Sequence, residues 1–401
     1  MKFLKSICSE RPNKKSSGVA SYIAYNSLGK AVWTPRNYGL LADEGYQKNV
    51  IVYRCVSLIA RGVGSVPWLL YDHNHEIEKH PILDLLNCPS PRQAGSSFME
   101  SLVGHLMLAG NAYIEAVCDR SGMVCELYSL RPDRIKVIPS VSGVPVAFEY
   151  EVDGRKRVLE SDPITGCSSV LHIKNFHPLN DWYGMSPIEA AARSIDQHNV
   201  VAEHNLALLQ NGGRPSGALM FKPGNSQPMS EKQRDSLRDD IRRIYEGSNN
   251  AGKIMVLEGD FDWKEMGLSP KDLDFIEGKN ISAREISQAF GVPPMLVGIS
   301  GDATFANYKE ARYHLWEDTI IPLMEFLIAE LNLWLCPMFG ENLRLSYDVD
   351  AIPALAQRRE ALWSKIQSSE FLTINEKRQA VGYGPIDGGD SIFKPLPQGD
   401  R

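Results

Sequence analysis

The stretch Gly291–Glu310, reading GVPPMLVGISGDATFANYKE, constrains this chain more than any other part of it. A helical pattern stops at Gly291, and Pro293-Pro294 follows. Proline fixes φ and lacks the N–H that a continuing helix needs, so the helix must end here. A loop of small and polar residues comes next and feeds into the longest helical pattern in the chain, Ala306 to Leu335. Two helices with a short loop between them present a movable finger on a stiff mount. The neighbouring sequence offers no metal-ligand cluster, nucleophile or phosphate cradle, so the loop reads as mechanical and not catalytic.

At 401 residues the chain exceeds the usual size of a single core, and two or more subdomains are expected. A formal net charge of −6 argues against a protein that coats nucleic acid, which carries a basic face. It leaves room for one that guides DNA without gripping it. Each Lys or Arg fixed to a phosphate tightens binding and steepens its salt dependence, so a passage for moving DNA works better with few such contacts. The seven cysteines (Cys8, Cys55, Cys88, Cys118, Cys125, Cys167, Cys336) form no C-x-x-C pair. Reduced thiols are the expected state, although Cys118 and Cys125 flank a hairpin turn and could approach each other. Residues 1–20 lack the apolar core of a secretory signal. The one membrane candidate, Ile320 to Phe339, carries Pro322, Glu325, Glu330 and Asn332, which reads better as a buried helix than as a span.

The pattern along the chain is α+β. Residues 1–40 are polar and lean basic, as in a flexible arm. Val50, Val52, Tyr53, Val56, Ile59 and Ala60 recur near helical spacing, and Val66–Tyr71 reads as a strand. Phe98–Leu108 is a second helix, ended by Gly110. Tyr113–Val117, Leu127–Leu130, Ile135–Ile138 and Phe148–Val152 read as strands, with hairpin signals at Asp119–Gly122 and Asp153-Gly154. Ser186-Pro187-Ile188-Glu189 is a capping box with proline at the first helical position. Its helix stops at Gly212-Gly213. Ser230 with Gln233 opens a highly charged helix that ends near Gly247, and Ser269–Asp272 opens another that runs to Gly291. Short strands at Ala218–Phe221 and Lys253–Leu257 make the segment between the outer two helices a small α/β insert. Pro322 should kink the long helix. Leu343–Tyr347 is a strand, Thr373–Glu376 a further capping box, and the Gly/Pro-rich end from Gly384 reads as loose.

This order of elements resembles the HK97-type portal proteins of tailed bacteriophages and gene transfer agents, over roughly Asn49 to Asp390. The most specific residues are Gly291-Val-Pro-Pro294, Leu296, Gly298, Thr304 and Asn307–Glu310. Trp182–Pro187 (WYGMSP), Leu130-Arg-Pro-Asp133, Leu372–Arg378 and Gly388-Gly-Asp390 add to them.

The resemblance implies a closed ring, usually of twelve subunits, at one capsid vertex, through which terminase pumps double-stranded DNA and from which it is later ejected. It also implies a division of the chain. After the arm (1–40) come an α+β wing (41–186), a stem helix (187–212), a small α/β clip (213–269) and a second stem helix (270–292). A tunnel loop (293–305), the rest of the wing (306–351, kinked helix and strand), a short helical crown (352–383) and a loose tail (384–401) complete it. The partners implied are further copies of the chain, DNA, the terminase large subunit, a head–tail adaptor and the major capsid protein; no cofactor, metal or membrane is implied.

Within that map the tunnel-loop candidates are Ile299, Ser300, Gly301, Asp302, Ala303, Thr304 and Phe305. Small side chains let the loop press on a duplex through backbone contact, and Asp302 would repel phosphate and keep DNA centred. The stem-lining candidates are Glu189, Arg193, Asp196, Asn199 and Glu203 on the first helix and Lys271, Asp274, Lys279 and Arg284 on the second. Their mixed signs suit a low-friction wall, and a solvated outer face is the equal alternative for each. Arg234, Arg238, Asp239, Arg242 and Arg243 flank the narrow apolar seam Leu237, Ile241, Ile244 on the clip helix Glu231–Glu246, and would give terminase or the adaptor an electrostatically specific contact. A plain surface helix fits the same pattern.

Enzymatic readings fare badly. The nine histidines show no H-E-x-x-H, and neither a G-x-x-x-x-G-K-[ST] phosphate loop nor a G-x-S-x-G elbow is present. Asp348 and Asp350 are a carboxylate pair that would suit a cation or simply end a strand. The rivals to a conduit are a capsid-associated nuclease or hydrolase, and a soluble DNA-binding regulator built on the basic helix at Asn375–Arg378.

Overall fold

The computed structural model describes residues 38–73, 75–139, 145–161, 168–210, 218–221, 232, 235, 261–264, 275–299, 305–340, 342–381, 384 and 386–391. Most of the expected arm, most of the expected clip with its strand Lys253–Leu257, and Ser300–Thr304 lie outside the described residues.

The first helix, α1 (Val50–Gly64), starts where Asn49 caps it: Asn49 Oδ1 accepts from the N–H groups of Ile51 and Val52 at 3.1 and 3.2 Å. Val52, Cys55, Val56, Ile59, Ala60 and Val63 form its buried stripe. Val50 and Tyr53, expected on that stripe, are exposed, because at 100° per residue they fall outside the row through Val52, Val56, Ile59 and Val63. Ahead of α1 the chain is already helical, with one turn at Tyr38–Leu40 and a π-helical stretch over Leu41–Gln47. The expected arm boundary at residue 40 therefore falls inside an ordered segment, anchored by buried Leu41.

Strand β1 (Trp68–Asp72) pairs with the short β2 (His75–Glu76) and, across most of the sequence, with β11 (Leu343–Tyr347), in antiparallel register Leu70↔Leu345. Two helices follow, α2 (Pro81–Asn87), which sequence did not signal, and α3 (Gly95–Ala109). The chain then builds two three-stranded antiparallel sheets. One has the order β4-β3-β8, from β3 (Asn111–Cys118), β4 (Val124–Leu130) and β8 (Val170–Lys174). The other runs β5-β6-β7, from β5 (Ile135–Ile138), β6 (Ala147–Val152) and β7 (Arg155–Glu160).

Both predicted hairpin turns form. Asp119 Oδ1 accepts from the Ser121 and Met123 N–H groups, and Asp153 and Gly154 take φ of 50° and 78°, as a type I′ turn requires. Cys118 and Cys125 remain free thiols beside the first turn, and Cys125 Sγ donates to the Val117 carbonyl instead. Tyr113, Leu130, Ile135, Val137, Phe148 and Val170 fill a small core around the two sheets, and buried Glu115 on β3 receives Arg157 Nη2 from β7 at 2.6 Å.

After Ser186, whose Oγ accepts from Glu189 N–H at 3.0 Å, the expected single stem helix is instead two. A short α4 (Pro187–Ala190) ends at Ala191, where ψ is 1°, and α5 runs Ala192–Gln210. The bend lets Ile188 and Ile195 both reach the core, Ile188 closing directly on Gly45. Strands β9 (Ala218–Phe221) and β10 (Phe261–Lys264) pair antiparallel at the base of the insert. Helix α6 (Phe275–Ala289) returns antiparallel to α5, with Ser194 Oγ donating to Glu285 Oε2 at 2.6 Å.

The last long helix comprises α7 (Phe305–His314), a π-helical stretch Leu315–Ile320, and α8 (Ile321–Trp334). Pro322 sits within this continuous helical run, directly after the π-helical stretch. The wider π-helical turn before it takes up the hydrogen bond that proline cannot make. The run Asn307–Met338 is long and apolar enough to cross a membrane by length and composition. Met324, Leu327, Ile328, Leu331 and Leu335 nonetheless bury its inner face in the main core, and Asn332 exchanges hydrogen bonds with both the N–H (2.7 Å) and the carbonyl (3.0 Å) of Leu345 on β11.

The chain closes with α9 (Ala356–Ser368) and α10 (Ile374–Ala380). The Thr373–Glu376 capping box forms in both directions. The loose tail expected from Gly384 does not hold over Ile386–Asp390. Asn375 bonds to the Ile386 N–H and carbonyl, the Gly389 carbonyl and the Asp390 carboxylate, and so fixes that turn.

Candidate functional site

The helices α5 and α6, which flank residues 211–274, are each fastened at the end where they meet the rest of the fold. On the departing side stands Asn49. Capping α1 commits its Oδ1 to two backbone N–H groups, so its Nδ2 must point the other way. There it donates to Asn199 Oδ1 at 2.9 Å and to His198 Nδ1 at 3.2 Å, both on α5. His198 is thereby held as an acceptor at Nδ1, with its proton on Nε2. Burial, and next the charge of Lys279 on α6, hold it below the ordinary imidazole range. Asn199 Nδ2 continues the chain of bonds to the Glu44 carbonyl at 2.8 Å.

On the returning side α6 ends at Gly291, whose φ of +67° favours glycine. Thr319, inside the π-helical stretch of the long helix, donates its hydroxyl to the Gly291 carbonyl at 2.6 Å. A Cβ on Gly291 would sit 2.8 Å from that same oxygen. The Pro294–Val297 turn follows and brings the chain to Ile299.

The WYGMSP segment is also explained by packing. Asn111 Oδ1 accepts from the Gly184 N–H at 2.8 Å and from His172 Nε2 at 3.0 Å, while a Cβ on Gly184 would lie 2.1 Å from the Gly110 carbonyl. Only glycine allows that approach of two backbones.

The expected site residues are placed unevenly. Of the tunnel-loop set, Ile299 is buried in the main core and Phe305 opens α7, while Ser300, Gly301, Asp302, Ala303 and Thr304 lie outside the described residues. Among the stem candidates, Arg193, Glu203 and Arg284 are exposed and Glu189, Asn199 and Lys279 are half-buried. Asp196 is buried in this protomer. Lys271 and Asp274 lie outside the described residues. So do Arg234, Arg238, Asp239, Arg242 and Arg243; beside them Lys232 and Asp235 are helical and exposed.

Asp348 and Asp350 are engaged structurally. Asp348 Oδ1 accepts from the Asp350 and Ala351 N–H groups, and Asp350 pairs with Arg359. His314, Glu317 and Asp318 bring ligand-type atoms within 4.8 Å of one another on an exposed face of the long helix.

Sequence reasoning missed Asn49, His198 and Thr319 as joints. An asparagine directly before an apolar helical stripe signals a cap, but nothing local announces where its second hydrogen lands.

Comparison with known proteins places this geometry. The family model described as phage portal protein matches residues 50–382. The chain is 24% identical over 363 residues to the portal protein of Enterobacteria phage HK97, covering 88% of this chain and 82% of that one. A chain in the neck of an empty gene transfer agent (GTA) particle is 41% identical, with a TM-score of 0.71 over 92% of this chain and all (100%) of that one. A chain in the neck of the native particle, computed with C12 symmetry, is 40% identical with a TM-score of 0.69, over 91% of this chain and 99% of that one. With a match that runs from the first residue of α1 to beyond α10, this chain belongs to the phage portal protein family.

Proposed function

We propose that this portal protein assembles as a closed ring of twelve copies at one vertex of a capsid or gene-transfer-agent particle. Double-stranded DNA enters through the ring under the terminase motor and later leaves by the same route. The protein acts as a conduit and carries out no chemistry of its own. The observation that carries the reading is the likeness, over nine-tenths of the chain, to a chain in the neck of a native GTA particle computed with C12 symmetry.

The physics of the protomer supports it. Two antiparallel helices, α5 and α6, stand on the wing through separate fastenings, Asn49 to Asn199 and Thr319 to Gly291. The segment Ser300–Thr304 joins one fastening to the long helix, so a finger there is carried on rigid supports. Its small residues and the single Asp302 touch a duplex without forming lasting ion pairs, and the net charge of −6 works against adhesion. The insert between α5 and α6 is the clip, facing the terminase large subunit and the head–tail adaptor. The wing faces the major capsid protein, and the α9–α10 unit is a short crown.

Electron microscopy of the purified protein tests this. Rings with a central hole wide enough for duplex DNA are expected. Monomers or two-fold dimers at every concentration would overturn it.

A further inference from the structure

The hydrogen bonding around His198 fits only one protonation state of its ring. Asn49 spends its Oδ1 on the N–H groups of Ile51 and Val52, which settles which way its amide faces. The atom it turns to His198 Nδ1, at 3.2 Å, is therefore the nitrogen Nδ2. An amide nitrogen only donates, so Nδ1 must accept, and it accepts only while it carries no proton. Asn49 is 1% exposed and His198 6%, so water does not readily replace a lost partner here. A second proton on the ring would set N–H against N–H, and an unmet buried donor is costly. The same Nδ2 holds Asn199 Oδ1 at 2.9 Å, so a displaced Asn49 amide gives up both bonds to α5.

The surrounding charges offer the extra proton no compensation. Lys279, on α6, opposes a second positive charge, an effect next in size to that of burial. On the Leu41–Gln47 stretch, Asp43 and Glu44 place their carboxylates on Lys48 at 3.2 and 2.7 Å. What Glu44 gives this joint is its carbonyl, to Asn199 Nδ2. The first turn of α1, Val50–Tyr53, carries no charged residue. On α5 itself the buried Asp196 lies two residues before His198, about 200° around the helix. The fastening of α6 differs in kind. Thr319 donates to a backbone carbonyl, and neither group titrates where an imidazole does.

We propose that Asn49, His198 and Asn199 form an acid-sensitive latch: a proton on His198 Nδ1 breaks the joint and frees α5 from the start of α1, while Thr319 and Gly291 keep α6 fastened. The folded joint holds the neutral ring, so the latch is closed at neutral pH and opens as pH falls below the ordinary imidazole range. It belongs to the protomer and stands apart from the ring reading above. Its consequence is that one of the two helices flanking residues 211–274 changes its seat alone, without general unfolding.

Hydrogen–deuterium exchange of the full chain tests this, read by mass spectrometry and corrected for the intrinsic pH dependence of amide exchange. Between pH 7.5 and pH 5, peptides from Ala192–Gln210 should lose protection several-fold while those from Phe275–Ala289 keep theirs. His198→Gln retains an oxygen that accepts from Asn49, and should leave α5 equally protected at both pH values. Lys279→Gln removes the opposing charge and should move the opening to higher pH. Four results would each overturn the latch: α5 protection indifferent to acid, equal loss on α5 and α6, an acid response that survives His198→Gln, or an opening pH unmoved in Lys279→Gln.

Discussion

Asn49 and Asn199 lie 150 residues apart in the chain, yet their amides share a 2.9 Å hydrogen bond that fastens α5 to the start of α1. The same Asn49 caps α1, so one side chain serves two elements. Asn49→Ala should cost about 1–2 kcal/mol for the cap alone, plus the loss of the tie to α5. Asn49→Asp keeps the acceptor that caps α1 and removes both donors, so it should recover the capping share only. Urea midpoints of the two variants separate these effects; equal midpoints for Asn49→Ala and the parent protein would refute the assignment.

Gly291 and Thr319 make the second fastening. Gly291→Ala forces a side chain into φ of +67° and against the Thr319 hydroxyl, and should destabilise by about 1–2 kcal/mol or more. Thr319→Val loses one hydrogen bond, worth about 0.5–1.5 kcal/mol. Because the two residues share that contact, the double variant should lose less than the sum of the singles. Strict additivity in a double-mutant cycle would show that they act independently.

Acid should weaken the fold through its buried histidines. Burial, with Arg131 opposing Asp133 nearby, lowers His105 to about 4, and burial with Lys174 lowers His172 to about 3. Burial and Lys279 lower His198 as well. Each is neutral when folded and takes a proton near 6.5 when unfolded. The unfolded chain then binds more protons below that pH, so this stabilisation is present above about 6.5 and is lost as pH falls toward about 4 and about 3. The urea midpoint should be lower at pH 5 than at pH 7.5, and His105→Gln should flatten the slope. A midpoint that rises or stays level on acidification would contradict this.

Asn375→Ala should release Ile386–Asp390 with little change in global stability. Amide exchange in that turn should speed up while the wing stays protected. Unchanged exchange there would mean that other contacts hold the turn.

Deleting Gly301–Ala303 should leave ring assembly intact and impair DNA packaging or retention. Particles that fill and hold DNA normally after the deletion would remove the loop's proposed role.

Much of the fold was legible where its signals are local. Asp119–Gly122 and Asp153-Gly154 dictate their turns by side-chain acceptors and positive φ, and Thr373 with Glu376 announces a capping box. The break at Ala191 was not legible, since nothing in a run of alanines marks a bend that exists to seat Ile188 against Gly45. The π-helical stretches share that character, being set by what packs beside them. The joints at Asn49, His198 and Thr319 were not legible as residues, because their partners lie far away in the chain. Asp196 looks like its polar neighbours in sequence, yet the fold buries it.

The pairing of β1 with β11 carries a further consequence. Segments near residues 70 and 345 are zipped edge to edge, so the framework is sealed independently of what lies between α5 and α6. Ser194 and Glu285 pinch that excursion at its root. Whatever is spliced in above the pinch, longer or shorter, the frame need not change its register, and such a layout allows one chassis to be refitted for different machinery.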